Sequence, residues 1–379
     1  MKYIKGFLKG LVGIIALLVV MAYLTDYEYI LKGVRVVYMT GHTSAYIDDY
    51  THFDTVAIET STPQPWPQHK AYNTAIATEK LNQTNEQLGT VAYLIIKNDS
   101  IWYENYAPGY SASSKTNSFS MAKSIVSALL GKAIMDGYIK NLDQPIGDFY
   151  EEYASAKTTV GDLSSMSSGL DWTEHYTSPF SITARAYYDD DLAETILGQE
   201  IINEPGQGFS YLSGNTQLLA MVIEKATGKK LADYLSESFW KPMGFEQEAL
   251  WQVDDDDNEL VKAYCCVTSN ARDFARFGKL YKDFGNWKGT QLIDSSFVAK
   301  SIRPRFDNSP EYGYGFWLSN YFNKQIFVMR GILGQYVITI PEDDLIIVRL
   351  GHQRGYRSDL PFSSDFYIYL EEVYAMLDS

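Results

Sequence analysis

A serine hydroxyl is a weak nucleophile at its own pKa, and a lysine one helical turn away can activate it when burial lowers the pKa of the ammonium. Ser120-Met121-Ala122-Lys123 has that spacing. Residues i and i+3 share a helix face, so Lys123 can reach the Ser120 oxygen. The start of the helix also offers positive potential and free N–H groups to a developing oxyanion. Four loosely specified residues recur by chance, and the chain holds a second copy, Ser238-Phe239-Trp240-Lys241. Context separates the two. The second copy precedes Pro242-Met243-Gly244, where a helix should end, whereas the first opens a small-residue helix after a hairpin and a polar loop.

Other chemistries find little support. The histidines, His42, His52, His69, His175 and His352, form no HExxH-type ligand pair. No G-x-S-x-G elbow surrounds a serine, so His352 reads as a strand-end residue. Cys265 and Cys266 are adjacent, and neighbours rarely meet disulfide geometry, so neither a disulfide framework nor a thiolate cluster is expected. The run from Asp254 to Asp257 reads as a solvated loop, since nothing nearby completes an oxygen cage. No cofactor and no metal are expected.

The elements that must position Ser120 follow from patterning. The 379 residues, 46% hydrophobic, suffice for one large catalytic domain or two modest ones. A net charge of -15 argues against a nucleic-acid partner, because phosphate backbones demand clustered Lys and Arg. Residues 10–24 (GLVGIIALLVVMAYL) are unbroken apolar and follow Lys2, Lys5 and Lys9. They predict a membrane helix, with the lysines cytoplasmic and the remainder extracytoplasmic. The exit, Met21-Ala22-Tyr23-Leu24, offers no A-x-A-like site and no cysteine follows, so an uncleaved anchor is expected, with a cleaved signal peptide as the alternative.

Residues 26–70 read as a lead-in segment, and 71–379 as the catalytic domain. A helix is expected over 71–87, then a hairpin of strands 91–96 and 100–106 around Asn98-Asp99. The helix opened by Ser120 should run from 121 to 135. A mainly helical lobe follows over about 138–260, with a strong helix from Thr216 ended by Gly228. Beyond it come a helix over 271–284, strands near 314–316, 326–329, 336–340 and 345–350, and a final amphipathic helix over 364–377. Strands at both ends around a helical middle imply an α+β fold, an antiparallel sheet flanked by helices with an inserted helical lobe.

Several ordered blocks resemble the serine β-lactamase-like hydrolases: class C β-lactamases, D-Ala-D-Ala carboxypeptidases, related esterases and 6-aminohexanoate-dimer hydrolases. They are Ser118-Phe119-Ser120-Met121-Ala122-Lys123-Ser124, the stretch 160–170 (VGDLSSMSSGL), which is similar to the family's LLTHTSGL, and Gly208-Phe209-Ser210-Tyr211-Leu212-Ser213. The helix 218–228, the block 269–278 (SNARDFARFG) and Tyr312-Gly313-Tyr314-Gly315-Phe316-Trp317 complete the set. The resemblance implies a β-lactamase/transpeptidase-like fold. It also implies that Tyr211 of Tyr211-Leu212-Ser213 shuttles a proton; Tyr234-Leu235-Ser236 has the same form without the position. Ser213, where β-lactamases usually carry asparagine, leans toward the esterase and nylon-oligomer branch.

The family's third motif, Lys-Thr-Gly or His-x-Gly, should fall at Met329-Arg330-Gly331, where lysine and histidine are both absent. There Gly331 permits close approach of substrate, the N–H of Ile332 would join that of Ser120 in an oxyanion hole, and Arg330 is a candidate substrate contact. Tyr176 in Glu174-His175-Tyr176 matches a substrate-contacting tyrosine of the nylon-oligomer enzymes. The expectation is a serine hydrolase acting on a small or peptide-like ester or amide. Its alternatives are a peptidoglycan carboxypeptidase or β-lactamase, and a non-catalytic envelope binding protein.

Overall fold

The computed structural model describes residues 2–378. A six-stranded antiparallel sheet comprises β1 (Thr90–Lys97), β2 (Ser100–Tyr106), β3 (Trp317–Ser319), β4 (Ile326–Gly331), β5 (Gln335–Ile340) and β6 (Leu345–Gly351), in the spatial order β2-β1-β6-β5-β4-β3. The helices that matter here are α1 (Lys2–Leu24), α2 (Tyr29–Val36), α3 (Ala122–Met135), α4 (Ser213–Thr227), α5 (Ala271–Lys282) and α6 (Ser364–Leu377). Together they give the expected α+β arrangement, with the inserted helices between α3 and α5.

β1 is apolar on both faces because both are covered. Leu94 and Ile96 enter the main core with residues of α3 and α5, while Tyr93 and Ile95 enter a second core capped by Phe366, Leu370 and Val373 of α6. Gly278 lets α5 lie close to the sheet, since a Cβ there would stand 2.8 Å from Thr339 Oγ1. The β1–β2 hairpin turns at Asn98 and Asp99, at φ 50° and 57°, left-handed values that short polar residues tolerate.

Two expected elements differ. The helix over 71–87 begins only at Glu79, with Thr78 as its N-cap. Asn73 interrupts the earlier turns: its Nδ2 donates to the Glu104 carbonyl at 3.1 Å and its Oδ1 accepts from the Glu104 N–H at 2.8 Å, binding this stretch to β2. The strand near 314–316 begins at Trp317 instead. Its preceding carbonyls are taken by α3, Gly315 O accepting from Ser124 Oγ at 2.5 Å and Tyr314 O from Ser127 Oγ at 2.7 Å.

A second sheet runs Thr55–Ile58, Ala249–Gln252, Val267–Ser269, Thr116–Asn117. The segment after α1 thus supplies an edge strand, and its Val36, Ile47 and Phe53 are buried in the main core. α1 itself stands clear of the rest with its apolar side chains exposed, as at Ile14 and Leu17.

Against expectation, Cys265 and Cys266 are joined as a disulfide. Cys266 adopts a left-handed φ of 77°, which folds the chain back sharply enough for neighbouring thiols to meet.

Candidate active site

Ser120 sits where the strand Thr116–Asn117 turns into α3. The turn is fastened on both sides: Ser118 N–H donates to the Val267 carbonyl at 2.8 Å, and Asn117 Oδ1 accepts from the Phe119 N–H at 2.9 Å. Phe119 takes a φ of 45°, a conformation costly for an aromatic residue that its burial and this hydrogen bond sustain. Asn117 is in turn held by the wholly buried Asp49, whose carboxyl burial pushes up to about 6. Neither Asn117 nor Asp49 carries a sequence signal.

Lys123 is buried in the first turn of α3, three residues after Ser120. Its Nζ donates to Ser120 Oγ at 3.2 Å and to the Tyr264 carbonyl at 2.7 Å. Among the described residues no carboxylate forms an ion pair with it. Burial brings its pKa down to about 8, opposed by the charge of Glu174. The rings of Tyr211 and Tyr264 flank the ammonium at 5.1 and 5.6 Å.

The Tyr211 phenol is pushed up by burial and then by the Glu174 carboxylate, with the nearby Ser120 side chain acting the other way. Its position depends on the 160–170 stretch. Thr159 and Asp162 form a capping box there, Arg305 binds Asp162 Oδ1 at 2.6 Å, and Ser210 N–H donates to the Met166 carbonyl at 2.7 Å, one residue before Tyr211. Phe209, Tyr312 and Trp317 pack beside the Tyr211 ring.

Glu174 organises the opposite wall and was not singled out from the sequence. Its carboxylate accepts from Trp172 Nε1 at 2.9 Å, from Ser213 Oγ at 3.2 Å, from the Ser213 N–H and from the Tyr176 hydroxyl. A carboxylate two residues after Trp172 and two before Tyr176 was the available hint.

The third wall is the end of β4. A Cβ on Gly331 would lie 2.4 Å from the Ser118 carbonyl, so glycine is what lets this strand meet the Ser120 turn. Ile332 follows and lines the same cavity as Ser120, with Tyr176, Ser213, Tyr264 and Cys265. Arg330 is not on that lining. Its guanidinium lies 4.7 Å from the Trp317 ring and 5.1 Å from that of Phe362, and donates to the Pro361 carbonyl at 3.0 Å.

The look-alikes lie elsewhere. Ser238 is buried in the π-helical turn Ser236–Trp240, while Lys241 pairs with Glu59 at 2.6 Å. Tyr234 donates to Asp136 at 3.0 Å. His352 packs against Gly89 and Tyr110.

The family model described as Beta-lactamase matches residues 76–362. The chain belongs to the beta-lactamase family. Its similarity to the 6-aminohexanoate-dimer hydrolase of Paenarthrobacter ureafaciens is 27% identity over 239 residues, 59% of this chain and 60% of that protein, so less than two thirds of the relative is spanned. A Bacillus anthracis structure described as a 6-aminohexanoate-dimer hydrolase superposes with a TM-score of 0.73 at 21% identity, covering 86% of this chain and 90% of that one. A family VIII carboxylesterase gives 0.59 at 15% identity, over 79% and 98%. The fold is that of the serine β-lactamase-like hydrolases.

Proposed function

We propose that this hydrolase cleaves an ester or amide bond through an acyl-enzyme on Ser120. The observation that carries the reading is the buried Lys123, 3.2 Å from Ser120 Oγ and held by a carbonyl instead of a carboxylate, with its pKa near 8. A lysine so placed is neutral often enough near neutral pH to accept the serine proton. Tyr211, whose phenol is pushed up, stays protonated and suits proton donation.

In the forward step Lys123 takes the proton of Ser120 as the Oγ–carbonyl carbon bond forms. The N–H groups of Ser120 and Ile332 hold the oxyanion. The bond to the leaving oxygen or nitrogen then breaks as Tyr211 protonates it, and the proton on Lys123 restores the phenol. Water reverses the sequence at the acyl carbonyl and frees the acid. Ser213, Tyr176, Gly331 and Arg330 belong to the substrate-binding surroundings, Arg330 at a distance through its charge on Tyr211.

The amide reading draws on the 6-aminohexanoate-dimer hydrolase and the ester reading on the carboxylesterase. α1 supports anchorage in a membrane with the catalytic part on the extracytoplasmic side. Ser120→Ala should abolish both p-nitrophenyl ester hydrolysis and fluorophosphonate labelling; retention of full activity would refute the assignment. Labelling by penicillin instead of simple esters would favour the peptidoglycan carboxypeptidase or β-lactamase alternative.

A further inference from the structure

Beside Ser120 lies a cavity of about 250 Å³ with an unusual lining for a chain in which 21% of residues are charged. Among the described residues no Asp, Glu, Lys, Arg or His lines it, and its polar side-chain groups are the hydroxyls of Ser, Thr and Tyr. Ile30, Val34 and Val37 close it on one side, Pro179 and Ala184 on another, and Ile332 at the Ser120 end. A charged terminus or a carboxylate would lose hydration there without meeting an opposite charge.

The wall formed by Ile30 and Val34 is α2, which follows α1 after only residues 25–28, a connection that spans at most ~14 Å even if extended. It is less than extended, since the Thr25 and Tyr27 N–H groups bond back to Met21 and Ala22 at 3.0 and 2.8 Å. α2 is also locked to the catalytic part. Arg185 pairs with Asp26 at 2.6 Å and lies 4.9 Å from the Tyr29 ring, Lys32 pairs with Asp190 at 2.5 Å, and the Tyr29 hydroxyl donates to the Pro179 carbonyl at 3.0 Å. The apolar helix α1 and the cavity wall are therefore one connected piece. Around it, Tyr38, Met39 and Phe180 are 66%, 78% and 70% exposed, the Phe180 ring meeting only the edge of Tyr27 at 5.8 Å among the aromatic contacts of the described residues.

Resting on the acyl-transfer reading above, we infer that this cavity takes the aliphatic acyl chain of a membrane amphiphile, with the scissile carbonyl at Ser120. The acyl side is fixed by Tyr211. The proton donor to the leaving group is not on the cavity lining, so the leaving group departs on the Tyr211 and Trp317 side and the cavity is left for the acyl part. The step is the one already written: the carbonyl carbon bonds to Ser120 Oγ as the leaving group departs with its proton, and water releases a fatty acid.

The test uses the full chain in phosphatidylcholine nanodiscs with p-nitrophenyl acetate, butyrate and octanoate. Each fully buried methylene is worth up to about a fourfold gain, so even with about half of the added chain buried kcat/KM should climb on the order of a hundredfold from acetate to octanoate. Val34→Trp, which projects a ring into the cavity from a half-exposed site on α2, should cut the octanoate-to-acetate ratio at least ~tenfold, and Ala184→Phe should do the same from the other wall. p-Nitrophenyl palmitate placed in the enzyme's own disc should be hydrolysed faster than the same ester in separate vesicles. A flat or falling chain-length profile in the unmodified protein, an unaltered ratio in both variants, or equal palmitate rates would overturn the inference. Absence of acetate turnover and of any Ser120 adduct would instead overturn the acyl-transfer reading itself.

Discussion

The chain writes Ser-x-x-Lys twice, and the two copies end in opposite physical states. Lys123 is buried against a carbonyl and a serine, and its pKa falls to about 8. Lys241 lies at the surface on Glu59, and that hydrogen bond raises it. Ser120 follows a left-handed Phe119 at the start of α3 and lines a cavity, whereas Ser238 is enclosed within a π-helical turn. The lesson is that spacing brings a lysine near a serine, but the surrounding carbonyls, rings and carboxylates decide whether that lysine holds its proton.

The sharpest way to break this contrast is at the serines. Ser120→Ala should lower ester hydrolysis by on the order of 10³-fold or more, measured as kcat, and Ser238→Ala should leave kcat unchanged. Tyr211→Phe removes the proton donor but keeps the ring, and should cost about 10²-fold in kcat, less with leaving groups that need no proton. Gly331→Ala drives a methyl against the Ser118 carbonyl and should displace the Ser120 turn, lowering kcat/KM by about tenfold with the protein still folded by circular dichroism.

A pH profile then sharpens the lysine half of the comparison. In the proposed mechanism the neutral amine is the base, so kcat/KM should rise with pH through a midpoint near 8. Because the Glu174 charge favours the ammonium, Glu174→Gln should move that midpoint to lower pH, by roughly half a unit. Lys241→Met should leave the profile where it is. A midpoint that follows Lys241 would reverse the assignment of the two copies.

Much of this was legible beforehand because it depends on local pattern. The α3 start, the hairpin turn at Asn98-Asp99 and Gly228 closing α4 each follow from a residue type at a fixed offset. What escaped depends on distant partners. Asp49 reaches Asn117, and Glu174 gathers Ser213 and Trp172. The Tyr264 carbonyl meets Lys123 across the fold, an acceptor every residue carries and no sequence marks. The Cys265–Cys266 link was missed because its left-handed turn has no glycine to announce it. Asn73 misled in the other direction, breaking a helical apolar pattern by bonding to β2.

The strand order of the central sheet has a consequence for biosynthesis. β6 is the strand between β1 and β5, so a nascent chain that ends before Leu345 has its first hairpin and its later strands but no ladder joining them. β4, which brings Gly331 against the nucleophile turn, is docked through β5 onto that same late strand. Closing so distant a pairing is slow, and α6, which covers the far face, is made later still. The proposed nucleophile is therefore synthesised early but assembled last, and truncation before β6 should yield a chain that contains every candidate catalytic residue yet forms no site.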